Sequence, residues 1–245
     1  MLPRAIAVLL VVGLAPNQPA RQAPVRTPGA DIRQQILTAQ KQRAPSEADT
    51  QLLVRALAHS DPDVQRLAAR ALGRLERQTL VPALVGMLAS PNADVRSEAA
   101  NAIGQAMHDT APAAVPGSTM LGEATTALLK RLEIERDGWV RGVICRTLGR
   151  LPIGGGDEGK AEAILTEELG REWDDTAAPA IAGAAKGLES LLRTHGKGMT
   201  PADRTLARLR HLAAQGPRPS SPRLATDWLR ARRLALLALL ASPRA

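Results

Sequence analysis

Sliding the chain against itself superposes one pattern of apolar and polar positions on another. Asp63-Val64-Gln65-Arg66-Leu67-Ala68-Ala69-Arg70-Ala71-Leu72-Gly73 lies over Asp94-Val95-Arg96-Ser97-Glu98-Ala99-Ala100-Asn101-Ala102-Ile103-Gly104 at an offset of 31. The two share Asp-Val, Ala-Ala, Ala, an aliphatic residue and a closing Gly. A looser copy runs from Trp139 through Val140, Arg141 and Cys145 to Gly149 and Leu151, 45 residues after the second. The extra length falls in 108–117, where Pro112 and Pro116 mark an insertion between helices. Small and aliphatic residues at matching places suggest two more copies, around 180–191 and 229–240.

Each copy needs a preceding helix to pair with, and the start signals are present. Ser46 followed by Asp49 forms a capping-box-like start to a helix running through Leu57. Thr79 precedes a helix over 80–88 with Pro82 in its first turn, and Thr200, Pro201 and Asp203 open one over 202–214. Tight polar turns at 58–62 and 89–92, each carrying a Pro, join the helices of a pair. Ala68, Ala69, Ala71, Ala99, Ala100 and Ala102 let neighbouring second helices approach closely, so that each pair buries its apolar stripe against the next.

Residues 94–104 resemble the HEAT repeat, in the short bacterial form first named for phycobilin lyases. The resemblance implies an all-α fold, an α-solenoid wound as a right-handed superhelix of antiparallel helix pairs. It is regular over 46–151 and more divergent over 157–241, where Gly187 and Glu189 replace the Ala and Gly of the pattern. It further implies that Asp63, Asp94, Arg96 and Arg141 link successive repeats. Gly73, Gly104 and Gly149 occupy the repeat's closing position. The family binds partner proteins, usually along one concave surface.

Composition agrees with helices. The chain has 245 residues, no Phe or Tyr, and only Trp139, Trp173 and Trp228 as large rings, so its core is Leu, Ala, Val and Ile. The single cysteine, Cys145, excludes an intramolecular disulfide and reads as a small buried hydrophobe. Residues 1–15, with Arg4 and an apolar run over 5–15, read as a signal peptide or a membrane anchor; Pro16 after Ala15 makes a poor cleavage site. Residues 16–30, carrying four prolines, read as a linker ahead of a repeat domain over 31–245. An exported, periplasmic or membrane-anchored bacterial protein of the cell envelope is the expectation.

The formal net charge of +8 is uneven, at +5 over 1–43, −6 over 44–192 and +9 over 193–245. Arg204, Arg208, Arg210, Arg230, Arg232 and Arg233 are therefore a candidate basic patch for an anionic partner. An export signal and the scarcity of rings for base stacking disfavour nucleic acid. Gly154 to Lys160 has the spacing of a phosphate-cradling loop. It lacks the following Ser or Thr, places Asp157 and Glu158 beside the phosphates, and is read as an inter-helix loop. His59, His108, His195 and His211 lack metal-ligand spacing and read as surface residues. No cofactor, metal or catalytic residue is assigned. The helix apolar over 234–240 has no polar cap, which suggests either a longer protein, such as one continuing into a peptidyl-prolyl isomerase domain, or a face covered by a partner or second copy. The expected function is a non-catalytic protein-interaction scaffold, with an unidentified protein partner and membrane association through the N-terminus. A basic module for nucleic acid or anionic lipid is the alternative.

Overall fold

The computed structural model describes residues 28–42, 45–108, 119–154, 157–195, 198–215 and 221–242. The apolar leader over 5–15 and the insertion at 109–117 lie outside the described residues. Those described form α-helices α1 (Pro28–Lys41), α2 (Glu47–Ala56), α3 (Pro62–Gly73), α4 (Val81–Gly86), α5 (Ala93–Ala106), α6 (Thr119–Ile134), α7 (Gly138–Arg150), α8 (Asp157–Leu169), α9 (Ala178–His195), α10 (Asp203–Gln215) and α11 (Pro222–Ala241). The helices alternate between two layers. The odd-numbered ones pack in sequence, α1 on α3, α3 on α5, and so on to α11, and the even-numbered ones pair with them on the outside. The architecture is an α-solenoid of five helix pairs behind one leading helix.

Local chemistry sets the helix starts. At α2 the Ser46 hydroxyl accepts from the Asp49 amide at 3.1 Å, and the Asp49 carboxylate accepts from the Ser46 amide at 3.0 Å, completing the expected capping box. Asp61, Asn92 and Asp137 cap α3, α5 and α7 by accepting amides of the first turn. The helix expected over 80–88 is broken into three pieces, with 3-10 turns at Gln78–Leu80 and Met87–Ala89 around α4. Pro82 brings no amide to the first turn, and a tight bond from Ser90 N–H to Met87 O closes the end. Helix α1 begins at Pro28, inside the segment read as linker.

The core follows from the repeat register. Counting Asp63, Asp94 and Trp139 as position 1 of their helices, positions 2, 6 and 10 are Val64, Ala68, Leu72; Val95, Ala99, Ile103; and Val140, Ile144, Leu148. All nine are completely buried. The same register on α9 gives Ala180, Ala184 and Leu188, also completely buried. The divergent fourth copy therefore keeps the core stripe and changes the flanks.

Those flanks explain why α7 and α9 pack most closely of all. A Cβ at Gly142 would overlap the carbonyl of Pro179, one at Gly183 the carbonyl of Gly142, and one at Gly149 the carbonyl of Gly187. Backbone meets backbone at these points, which only glycine permits. Helix α9 is consequently buried on nearly every side from Ala178 to Leu192, only Pro179 and Lys186 being partly exposed. Glu189, placed where other copies have Gly, is buried yet ionised. Burial opposes its charge, but Lys186 and Arg193 on the same helix outweigh that and hold its pKa below the ordinary value. On the far side, α11 leaves Leu229, Leu236, Leu237 and Leu240 exposed. No helix among the described residues is long and apolar enough to cross a membrane.

Gly183→Ala should destabilise the fold by about 1–3 kcal/mol through overpacking. Gly122→Ala, inside α6 with open space where the methyl would go, should instead stabilise it by about 0.5–1 kcal/mol. Urea unfolding of both variants checks the pair, and a shift of the same sign in both would contradict the backbone contact.

Candidate interaction cleft

Of the residues expected to join successive repeats, Arg96 and Arg141 reach across. Arg96 on α5 donates from Nε and Nη2 to Glu135 before α7, at 2.7 and 2.9 Å, and from Nη1 to the carbonyls of Ser90 and Pro91. Arg141 on α7 grips Glu168 on α8 and the carbonyls of Leu132 and Glu135. Both stand at position 3 of their helices. The first copy has Gln65 there, donating only to the His59 carbonyl at 2.7 Å. In these three copies position 3 thus ties the second helix to the turn before it, and an Arg adds a carboxylate of the next repeat.

The two aspartates behave differently. Asp63 lies near Arg33 and Arg66, at 3.6 and 3.4 Å, while Asp94 sits exposed in the first turn of α5. The carboxylate that bonds α1 closely is Asp61, at 2.6 Å from Arg33. Gly73 and Gly104 make room for side chains of the following repeat. A Cβ there would lie 2.6 Å from Gln105 Oε1 and 2.5 Å from Arg150 Nε respectively.

The residues left over by core and ladder make a surface. Positions 1, 4, 5 and 8 of α3, α5 and α7 line a single open cleft of about 460 Å³. Position 1 supplies Asp63, Asp94 and Trp139; position 4, Arg66 and Ser97; position 5, Glu98 and Val143; position 8, Arg70, Asn101 and Arg146. Arg70 donates to Glu98 through Nε and Nη2 at 3.1 and 2.7 Å. Trp139 is 54% exposed, and the Arg146 guanidinium stacks on its ring 5.3 Å from the centroid. The signal for this site was in the repeats: Trp139 stands where the other copies have Asp, and a large ring in a polar surface row has no packing reason to be there.

The six arginines of the candidate patch stand on two helices. Arg204, Arg208 and Arg210 are on the outer helix α10, and Arg230, Arg232 and Arg233 on the inner helix α11. Arg204 pairs with Glu167 at 2.6 Å. Arg208 lies in a second cleft with Trp173 and His211 at the end of α8. Arg232 stacks on Trp228 and donates twice to the Ala213 carbonyl, closing the end of α10. Arg230 is exposed on α11.

Helix α8 begins at Asp157, so Gly159 and Lys160 are in its first turn rather than in a loop, and Lys160 pairs with Asp157 at 2.8 Å. His108 and His211 are exposed, but His59 and His195 are half-buried, and His59 Nδ1 accepts the Asp61 amide at 3.0 Å. Cys145 is completely buried, and burial pushes its thiol pKa far up, leaving it unreactive.

A family model described as HEAT repeats matches residues 50–148. No curated protein matches the chain. Among solved structures, an engineered protein is 19% identical over 85% of this chain and 90% of its own, with a TM-score of 0.49. An archaeal HEAT-like repeats protein from Thermococcus onnurineus NA1 is 17% identical over 88% and 82%, with a TM-score of 0.47. The CpcE and CpcF complex of phycocyanin lyase from Nostoc sp. PCC7120 is 19% identical over 90% and 99%, with a TM-score of 0.36.

The Arg96–Glu135 pair is buried, and its acid makes a pH test. Burial disfavours the Glu135 carboxylate, but hydrogen bonds from Arg96, the Asp137 amide and Arg131 outweigh it and bring the pKa from 4.5 to about 2. A depressed carboxylate pKa stabilises the fold above the unfolded value and stops doing so as pH falls through the folded one. Glu135→Gln should cost about 3 kcal/mol at pH 7, with the gap to the wild type closing between pH 4.5 and about 2. Denaturant titrations across that range measure the gap, and one that stayed constant would refute the assignment.

Proposed function

Because residues 50–148 of this chain are HEAT repeats, we propose that it is a non-catalytic protein-interaction scaffold of the cell envelope whose partner docks in the cleft around Trp139. The exposed Trp139 ring carries this reading. Tryptophan and arginine are enriched among the few residues that carry most of the binding energy of protein interfaces. Here the two are stacked and held in place before a partner arrives. Around them, Arg70 with Glu98 and Arg66 with Asp63 form a rim of ion pairs, the polar border that surrounds the apolar centre of an interface.

The envelope location rests on the N-terminal sequence, where the apolar run over 5–15 is long enough for a signal and too short for a span. The scaffold reading is supported by how the cleft is built. Its walls are the surface rows of three helices whose opposite faces are core, so the geometry is set by the fold and does not need the partner to form.

Capture from a solubilised envelope fraction, with the full chain as bait, tests the reading. Trp139→Ala should weaken the captured partner at least ~30-fold, the scale of an interface hot spot, while Trp173→Ala, outside the cleft, should leave it unchanged. Capture that survives Trp139→Ala would overturn the docking site. A partner found only in the cytosolic fraction would overturn the location.

A further inference from the structure

Helix α11 is the last of the inner layer among the described residues, packing against α9 and α10. Its remaining side is bare. At about 100° per residue, Leu229, Leu236 and Leu240 fall within about 40° of one another around the helix, and Arg233, Leu237 and Arg230 follow over roughly the next 80°. On the opposite side Leu224, Ala231, Ala235 and Ala238 are buried. The four leucines of the bare side are 41 to 79% exposed, Leu240 most of all. Together they leave roughly 400 Å² of apolar surface in water, as much as the largest patch on an ordinary monomer. Arg230 and Arg233 are exposed beside them.

The other end of the inner layer is built differently. Over 31–41, α1 exposes Asp31, Gln34, Gln35, Thr38 and Lys41, with Leu37 the one apolar side chain among them. That is the polar face a solenoid turns to water, and α11 does not have it.

Charge decides what covers the bare side. Helices α10 and α11 hold seven arginines against two aspartates, Asp203 and Asp227. Asp227 is half-buried and stands off the leucine stripe. Arg232 is engaged by the Trp228 ring and the Ala213 carbonyl; among the described residues neither Arg230 nor Arg233 pairs with a carboxylate. A second copy of the chain would bring Arg230 and Arg233 against their own kind. A boundary that is apolar within and anionic at its rim suits the whole stripe. Leucines enter among acyl chains, while each arginine lays its apolar stem beside them and keeps its guanidinium at the phosphates. With four arginines and an aspartate, α11 is not apolar enough to cross a bilayer, so it lies in the plane of that boundary.

We propose that the bare side of α11 docks the solenoid on an anionic phospholipid surface, with Leu229, Leu236, Leu237 and Leu240 inserted and Arg230 and Arg233 on headgroup phosphates. This goes beyond partner docking at Trp139, uses a different helix, and stands or falls separately.

Cys145 is completely buried, so a thiol-reactive, environment-sensitive dye labels only an introduced cysteine. The full chain is labelled through Leu240→Cys or, as a control on α6, Glu123→Cys, and titrated with vesicles of phosphatidylcholine alone or with one-third phosphatidylglycerol. Anionic vesicles should blue-shift the dye at 240 and not at 123, at least ~10-fold more tightly than neutral vesicles, and less so as salt is raised. In the 240-labelled chain, Arg230→Gln with Arg233→Gln should remove most of that preference, and Leu229→Asp with Leu236→Asp should abolish the shift, with unchanged thermal unfolding showing the fold intact. The labelled chain without further substitution already decides insertion, because vesicle binding carried by the apolar run over 5–15 leaves the dye at 240 unshifted and overturns the proposal. A shift indifferent to the arginines or to the leucines overturns it too. So does sedimentation of a dimer that comes apart on Leu236→Asp, which would give the face to a second copy. Trp139→Ala should leave the shift unchanged, so vesicle binding and partner capture fail independently.

Discussion

Neighbouring inner helices must come close enough to bury a continuous core without large side chains between them, and the remaining features of this solenoid follow from how that is met. In α3 and α5 the contact faces are alanine, which brings helices near while keeping a methyl between backbones. In α7 and α9 they are glycine at Gly142, Gly149, Gly183 and Gly187, and the backbones touch. With no Phe or Tyr available, core volume comes from aliphatic residues, and tight spacing is what lets such modest side chains exclude water. The same spacing buries α9 almost entirely.

Each inner helix divides its surface by position. In α3, α5 and α7, positions 2, 6 and 10 are core, position 3 reaches back to the preceding turn, the closing glycine admits the next repeat, and the remaining rows supply the cleft lining, in which Glu98 and Val143 are buried. Chemistry follows that division. Arg96 and Arg141 at position 3 are held by Glu135 and Glu168 in sites closed to water, where a charge without its partner would be costly. Arg146 at position 8 faces the open cleft, where a charge is free to meet a partner from outside.

Much of the fold was legible in the sequence because its determinants are local. The Ser46 capping box, the proline turns, and the offset between the first two copies all operate within a few residues or one repeat. Helix α9 was harder to read: its pattern departs at Gly187 and Glu189, and the backbone of α7 shows why a glycine is needed at the first, while Lys186 and Arg193 on α9 itself balance the charge at the second. The glutamates that receive Arg96 and Arg141 stand 39 and 27 residues away, in separate helices whose facing is a tertiary fact. The six arginines of the candidate patch divide in a way the sequence did not reveal, three on the outer helix α10 and three on the inner helix α11. Trp139 was in view all along, as the one ring in a row of aspartates.

The inner layer has joints of two kinds. Between α7 and α9 the joint is backbone against backbone, leaving little to slide, so those two helices behave as a block. Between α5 and α7 the joint is made by side chains: Arg96 on Glu135, the Thr147 hydroxyl on the Ala100 carbonyl, and Arg150 on Asn101. Bending of the solenoid therefore concentrates at that seam, and the cleft straddles it, with α3 and α5 on one bank and α7 on the other. The width of the cleft is then a gauge of the angle between its two banks, and a partner seated across both would set that angle as well as its own position.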